Sequence, residues 1–542
     1  MKLSAPTRAG RARYELDCVC RRSALGWGRA VTGAWLPLTI TLHGSTYPRL
    51  RGRNRVVFRG MSTHDDEDDV GPDELAEYRI CSGCIGEKFL QVDVENTGET
   101  QDCSYCGKSG RTLSVGDLAK AVEVALDEHY YQTPIEPEGI EYIAMKEGGH
   151  WERHGEPVTY VIADMAKIDE EPAEDVRRVL EARDYFDKDA GIAEGKFDEE
   201  AYYAESKVED YELRAQWHDF QESLKTESRF FNRSAESTLK TVFEDLTSHT
   251  THDGKPAIVE AGPGKEINVL YRARVFLSSE KLTAALKRPD LELGPPPSLL
   301  ASAGRMNARG IAVFYGATDP TVVLAETRPP VGSRVAVGRF EIIQPLQLLD
   351  IEVLRSIYVD GSVFDSGYLK RLEKAKFLRT MSGRISAAVL PDDEPFQYLV
   401  TQAIAEYLAA LEEPALDGII YPSVQAGGKH KNVVLFHKSA RVDQLDIPPN
   451  TEISAYLESS DEDGAYPEYW VSERTPTPPP AEAEPEPDFP IIVFSPAQPG
   501  DFDDPRPPTL RLDAKSVTVE HIESVTYETS SFQVSRNRFI KN

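Results

Sequence analysis

The run Gly304-Arg305-Met306-Asn307-Ala308-Arg309-Gly310-Ile311-Ala312-Val313-Phe314-Tyr315-Gly316-Ala317, with Leu324-Ala325-Glu326-Thr327-Arg328-Pro329-Pro330 one helix later, decides how the C-terminal half of this chain is read. Ile311 to Ala317 is dense in β-branched and aromatic side chains, which suit a pleated, half-buried surface, so it predicts a strand. Asp319 fits an N-cap, Pro320 falls in the first turn where its missing N–H costs nothing, and Pro329 and Pro330 end the helix. Arg305 and Glu326 therefore frame one strand and one helix in a compact segment. Outward from it, Asn268 to Phe276 and Arg334 to Ile342 predict strands, 366–386 and 395–412 predict helices, and Gly418 to Tyr421 and Asn432 to Phe436 predict two more short strands. The sum is an α+β chain whose C-terminal mixed α/β domain spans about 265–440.

Upstream the periodicity is helical. Ser114 or Asp117 caps a helix in which Leu118, Ala121, Val122, Ala125 and Leu126 recur at the spacing of one buried face. Further helical patterns over 172–184, 207–226 and 234–248 make 113–255 a mainly α unit. Residues 61–77 are acidic and are expected to be disordered. Residues 458–508, with Pro476, Pro478 to Pro480, repeated Glu-Pro units and many acids, read as an extended linker. Val517, Val519, Ile522, Val525 and Tyr527 then mark a terminal β segment over 509–542.

At 542 residues the chain is too long for one core. Residues 1–60 hold 12 Lys and Arg against 2 Asp and Glu, a net of +10 that leaves −39 for the rest of the −29 total. That stretch reads as a leader foreign to the folded protein, with translation expected to begin at Met61. The acidic remainder repels phosphate backbones and argues against a general nucleic-acid binder. No apolar run reaches the ~18 residues of a spanning helix, so no membrane segment is expected.

Cys81-x2-Cys84, eighteen intervening residues, and Cys103-x2-Cys106 form a regular quartet, with Gly83 and Gly107 supplying tight turns. Two such pairs can present four thiolates to one ion with tetrahedral geometry, and filling all four positions leaves none for substrate. A structural Zn2+ module over 78–112 is the expectation, in a reducing cytoplasm. Lys88, Lys108 and Arg111 are outnumbered by Glu87, Asp93, Glu95, Glu99 and Asp102, which disfavours a nucleic-acid role for it.

Leu270-Tyr271-Arg272-Ala273-Arg274 opens the C-terminal domain, and Asp417-Gly418-Ile419-Ile420-Tyr421-Pro422-Ser423 lies far downstream. Together with the opening run, and in this order, these segments resemble the RES family, named for its Arg, Glu and Ser, over roughly 175 of the 542 residues. The resemblance implies a fold like that of ADP-ribosyltransferases and NAD as a substrate consumed by hydrolysis, phosphorolysis or ADP-ribosyl transfer. It places Arg305, Glu326 and Ser423 at the family's three signature positions, Tyr315 at a pocket tyrosine and Arg272 at an arginine near the domain start. It also implies a toxin or phage-defence effector, with an antitoxin or other regulatory protein as partner. For such chemistry Glu326 would stabilise a developing ribosyl cation, Arg305 and Arg272 would grip pyrophosphate, Tyr315 would stack on nicotinamide, and Ser423 would anchor its amide or help position the acceptor.

Residues 114–250 resemble the HEPN-type helical domain found ahead of RES domains. Two rival readings follow. One is a non-catalytic binding or regulatory protein, against which the presence of Arg305, Tyr315, Glu326 and Ser423 argues. The other is a HEPN-type ribonuclease with a RES sensor; its nearest Arg and His pair is Arg214 and His218, whose spacing departs from that motif, so a helical scaffold is favoured. The ADP-ribose acceptor (water, phosphate, protein or RNA), the trigger and the oligomeric state are left open.

Overall fold

The computed structural model describes residues 70–184, 194–228, 231–387, 389, 393–423, 425, 430–476, 504–526 and 528–539. The expectations for residues 1–69, including the start at Met61, and for 477–503 of the linker lie outside the described residues.

The N-terminal part is built on a core of its own. Ser114 caps helix Val115–His129 by accepting the amide of Asp117 at 3.0 Å, and Leu118, Ala119, Val122, Ala125 and Leu126 are buried along one stripe. That stripe packs with helices Val158–Ala166 and Glu170–Arg183. The cysteine segment is a three-stranded sheet of Arg79–Cys81, Ser109–Ser114 and Glu99–Asp102 in that order. Its Ile80, Ile85, Leu90 and Val94 enter the same core, so it is not a free-standing module. Two sequence expectations change here. Within 61–77, Pro72–Glu77 is a helix, because Pro72 presets the first turn and Leu75 is buried. The mainly α unit also carries a small sheet of Tyr130–Gln132, Tyr202–Glu205 and Glu156–Pro157.

The C-terminal domain is a nine-stranded mixed sheet in the order Val442–Asp443, Leu510–His521, Arg334–Ile342, Val269–Phe276, Phe314–Ala317, Lys431–Leu435, Gly418–Pro422, Leu346–Asp350, Ile258–Ala261. Neighbouring residues along one strand feed opposite faces: Ile419 and Val434 join one core cluster, Ile420 and Val433 the other. On the first face lie helices Tyr368–Ser386 and Glu394–Ala410, and against them pack Tyr211–Thr226 and Arg233–Phe243 through Trp217, Phe220, Leu239 and Phe243. The expected 113–255 unit therefore divides, its last two helices sharing the core of the C-terminal domain.

The start of the expected linker is a hairpin, Glu452–Asp461 with Gly464–Arg474. Ala455, Leu457 and Tyr469 pack on the domain while the acids face outward, so composition masked the alternation. The terminal β segment is strand Leu510–His521, inserted antiparallel to Arg334–Ile342. Among the described residues no helix is long and apolar enough to cross a membrane.

Candidate active site

Register gathers the site. Asn432 pairs with Ala317 on one side and Tyr421 on the other, so these three share a face, and Tyr315 follows two residues from Ala317. Helix Pro320–Thr327 starts from the N-cap Asp319, whose side chain accepts the amide of Thr321, and carries Glu326 in its last turn. A cavity of about 440 Å³ opens here, lined by Arg272, Arg305, Tyr315, Glu326, Tyr398, Tyr421 and Asn432 among others. That size lies within the range of about 300–1,000 Å³ usual for small-molecule sites.

Glu326 stands open to the cavity, yet one of its oxygens is fixed. Oε1 accepts from Ser423 Oγ at 2.6 Å and from Asn432 Nδ2 at 2.7 Å. Ser423 is fully buried behind the carboxylate, and Asn432 is buried. Tyr315 donates to Asn307 Oδ1 at 2.8 Å and accepts the amide of Met306 at 2.9 Å. Burial holds the Tyr315 phenol well above its ordinary range, so it keeps its proton and the loop 304–307 stays tied to the strand.

The two arginines differ. Arg305 Nη1 donates to the carbonyls of Ile385 and Ala387 at 2.8 and 2.9 Å, at the end of helix Tyr368–Ser386, and its guanidinium lies 5.6 Å from the Tyr398 ring. Part of its fork is thus spent on protein. Arg272 lies 5.1 Å from the Phe314 ring, and its Nη1 is buried with no hydrogen-bond partner. Burial, and then the like charge of Arg274, push it down to about 10, so at neutral pH it is a cation with an unsatisfied donor beside a cavity. Such a group is costly unless an anion completes it.

The four cysteines also converge. Cys81 and Cys84 leave the first strand of their sheet, and Cys103 and Cys106 occupy the turn before Ser109–Ser114, closed by Gly107 at φ +68. All four Sγ atoms lie within 4.8 Å of one another, with Cys81 to Cys106 at 3.7 Å and Cys84 to Cys103 at 3.9 Å. Metal–thiolate bonds of about 2.3 Å in a tetrahedron separate sulfurs by about 3.8 Å, so the residues fit a four-coordinate ion.

Comparison with protein families assigns the domains. The RES domain model matches residues 270–457, and HEPN/RES N-terminal domain 1 matches residues 96–238. Residues 270–457 are a RES domain. No curated protein and no solved structure matches the chain. The RES domain match contains the whole cavity lining, yet stops short of strand Leu510–His521.

Within the RES domain, Arg272, Arg305, Tyr315 and Glu326 line one cavity, and Ser423 meets it through Glu326. Sequence reading missed Asn432, Tyr398 and Tyr421. Asn432 carried a signal: an amide before Val433-Val434-Leu435 is poorly suited to a central strand unless its side chain has work to do. Tyr398 carried none, being one of three aromatics on its helix, with Phe396 and Tyr407. Of the pair considered for a ribonuclease, Arg214 and His218 are both exposed on helix Tyr211–Thr226, and Arg214 pairs with Asp210 at 2.8 Å.

Proposed function

We propose that this chain consumes NAD by cleaving the bond between nicotinamide and ribose, acting as a toxin or phage-defence effector in the cytoplasm. The observation that carries this reading is the Glu326 carboxylate, one oxygen tied by Ser423 and Asn432, on the wall of a cavity that is also lined by Arg272, whose buried Nη1 has no partner. A RES domain supports an NAD-related, toxin-like role at the level of the family. As the C1′–N bond breaks, its electron pair leaves with nicotinamide and positive charge grows on the ribose ring. Glu326 would accept from the ribose hydroxyls and offset that charge, while Arg272 and the free part of the Arg305 fork would hold the pyrophosphate. Tyr315, Tyr398 and Tyr421 give the cavity aromatic walls for the planar rings. Water, phosphate or a macromolecule then captures the ribosyl carbon.

The four cysteines would hold a structural Zn2+, locking the strands of Arg79–Cys81 and Ser109–Ser114 to the N-terminal core. An antitoxin or another regulatory protein is the expected partner. The deciding experiment is NAD content after induced expression of wild type and Glu326→Ala. NAD falls only with wild type if the reading is right; a level NAD pool in both, with soluble protein present, sinks it.

A further inference from the structure

We propose that Asn432 is a positioning residue that aims the Glu326 carboxylate at the substrate, an inference that rests on the NAD-cleaving reading of the same cavity. Glu326 is the exposed member of the cluster, in the last turn of a short helix, where a free glutamate would sample several rotamers. Asn432 is the opposite: it sits in a central strand, paired on both sides, with its side chain buried. Its Nδ2 reaches Glu326 Oε1 at 2.7 Å, a charge-assisted distance.

The amide differs from the other anchor in one chemical respect. Ser423, at 2.6 Å from the same oxygen, carries a hydroxyl, which can serve as donor or acceptor. The NH2 of Asn432 only donates, so it suits a carboxylate oxygen and cannot accept from an acid. With both donors on Oε1, Oε2 is the oxygen left to meet substrate. A purely structural Asn432 would leave the Glu326 carboxylate where it is when removed, so an effect directed at Glu326 separates the two roles.

The test uses the full chain with NAD as the probe. Asn432→Ala is expected to lower kcat about tenfold with KM little changed, the size of one lost charge-assisted bond. Asn432→Asp gives the sharper signature. When the introduced carboxyl and Glu326 share one proton, the acid donates as the amide did; when both are ionised they repel. Activity of this variant should therefore be retained at acid pH and drop on an alkaline limb absent from wild type. Crystal structures of wild type and Asn432→Ala read the position directly: the Glu326 carboxylate should leave its wild-type place in the variant. An unmoved carboxylate, or a pH profile of Asn432→Asp parallel to wild type, overturns the inference. If wild type itself leaves NAD intact, the NAD reading falls, and the crystallographic comparison still decides whether Asn432 positions Glu326.

Discussion

At the scale of single residues, the loop beside the cavity leaves no room for a side chain at Gly304. A Cβ on Gly304 would lie 2.6 Å from both Tyr315 Oη and Asn307 Oδ1, wedging apart the hydrogen bond that ties the loop to the strand. Gly304→Ala should cost roughly 1–3 kcal/mol by overpacking and should depress NAD consumption more than a conservative loop change; a melt and an NAD assay on the same preparation check both. A second residue gives a pH dependence. His129 is buried beside Tyr368, ring centroids 5.8 Å apart, with Nε2 unpartnered, and burial holds its pKa below the ordinary 6.5. The native state resists a proton that the unfolded chain accepts, so its contribution is fully present above about 6.5 and is lost as pH falls below that value. The urea midpoint should fall between pH 7.5 and 5.5, and fall less in His129→Phe.

At the scale of elements, helix Tyr368–Ser386 links the two halves of the chain. Its first turns meet His129 and, through Lys376 Nζ, the carbonyl of Val208 at 2.6 Å; its far end holds Arg305 through Ile385 and Ala387. Trp217 packs edge-on against Phe377 of this helix at 5.6 Å. Trp217→Ala should therefore cost about 3–5 kcal/mol and loosen the Arg305 anchor, so that KM for NAD rises before the protein melts. An unchanged KM at a temperature well below the melt would show that the helix end holds Arg305 unaided. Local signals made these elements legible: the Asp319 and Ser114 caps and the proline stops are all short-range. The cysteine spacing was legible for the same reason, since a metal knuckle is written in consecutive residues. What escaped was set by distance in the chain: Asn432 meets Glu326 across 106 positions, and Arg305 meets Ile385 across 80. No window of sequence holds both partners of such a contact.

At the scale of the molecule, the RES domain is not self-contained. The RES match ends at 457, yet strand Leu510–His521 pairs with Arg334–Ile342 at eight positions from Arg334↔His521 to Ile342↔Leu510. Leu510 and Leu512 are buried in the core on one face, and Thr509 Oγ1 donates to the Ser439 carbonyl at 2.7 Å. Removing residues 504–542 strips the apolar partners of two buried leucine sites, about 1.5–3 kcal/mol each, and exposes a nine-residue strand with open backbone groups. That strand borders Val269–Phe276, which carries Arg272. The truncated chain should melt several degrees lower and associate through the new edge. If the proposed reading holds, its NAD consumption should suffer through weakened substrate binding, because the strand that loses its neighbour borders the one that carries Arg272, while the Glu326 cluster stays in place. Size-exclusion chromatography together with KM and kcat for NAD checks this: a monomer with wild-type KM would mean that the last strand is an ornament to the sheet, whereas a raised KM with kcat preserved would make residues far outside the RES match part of what builds its binding site.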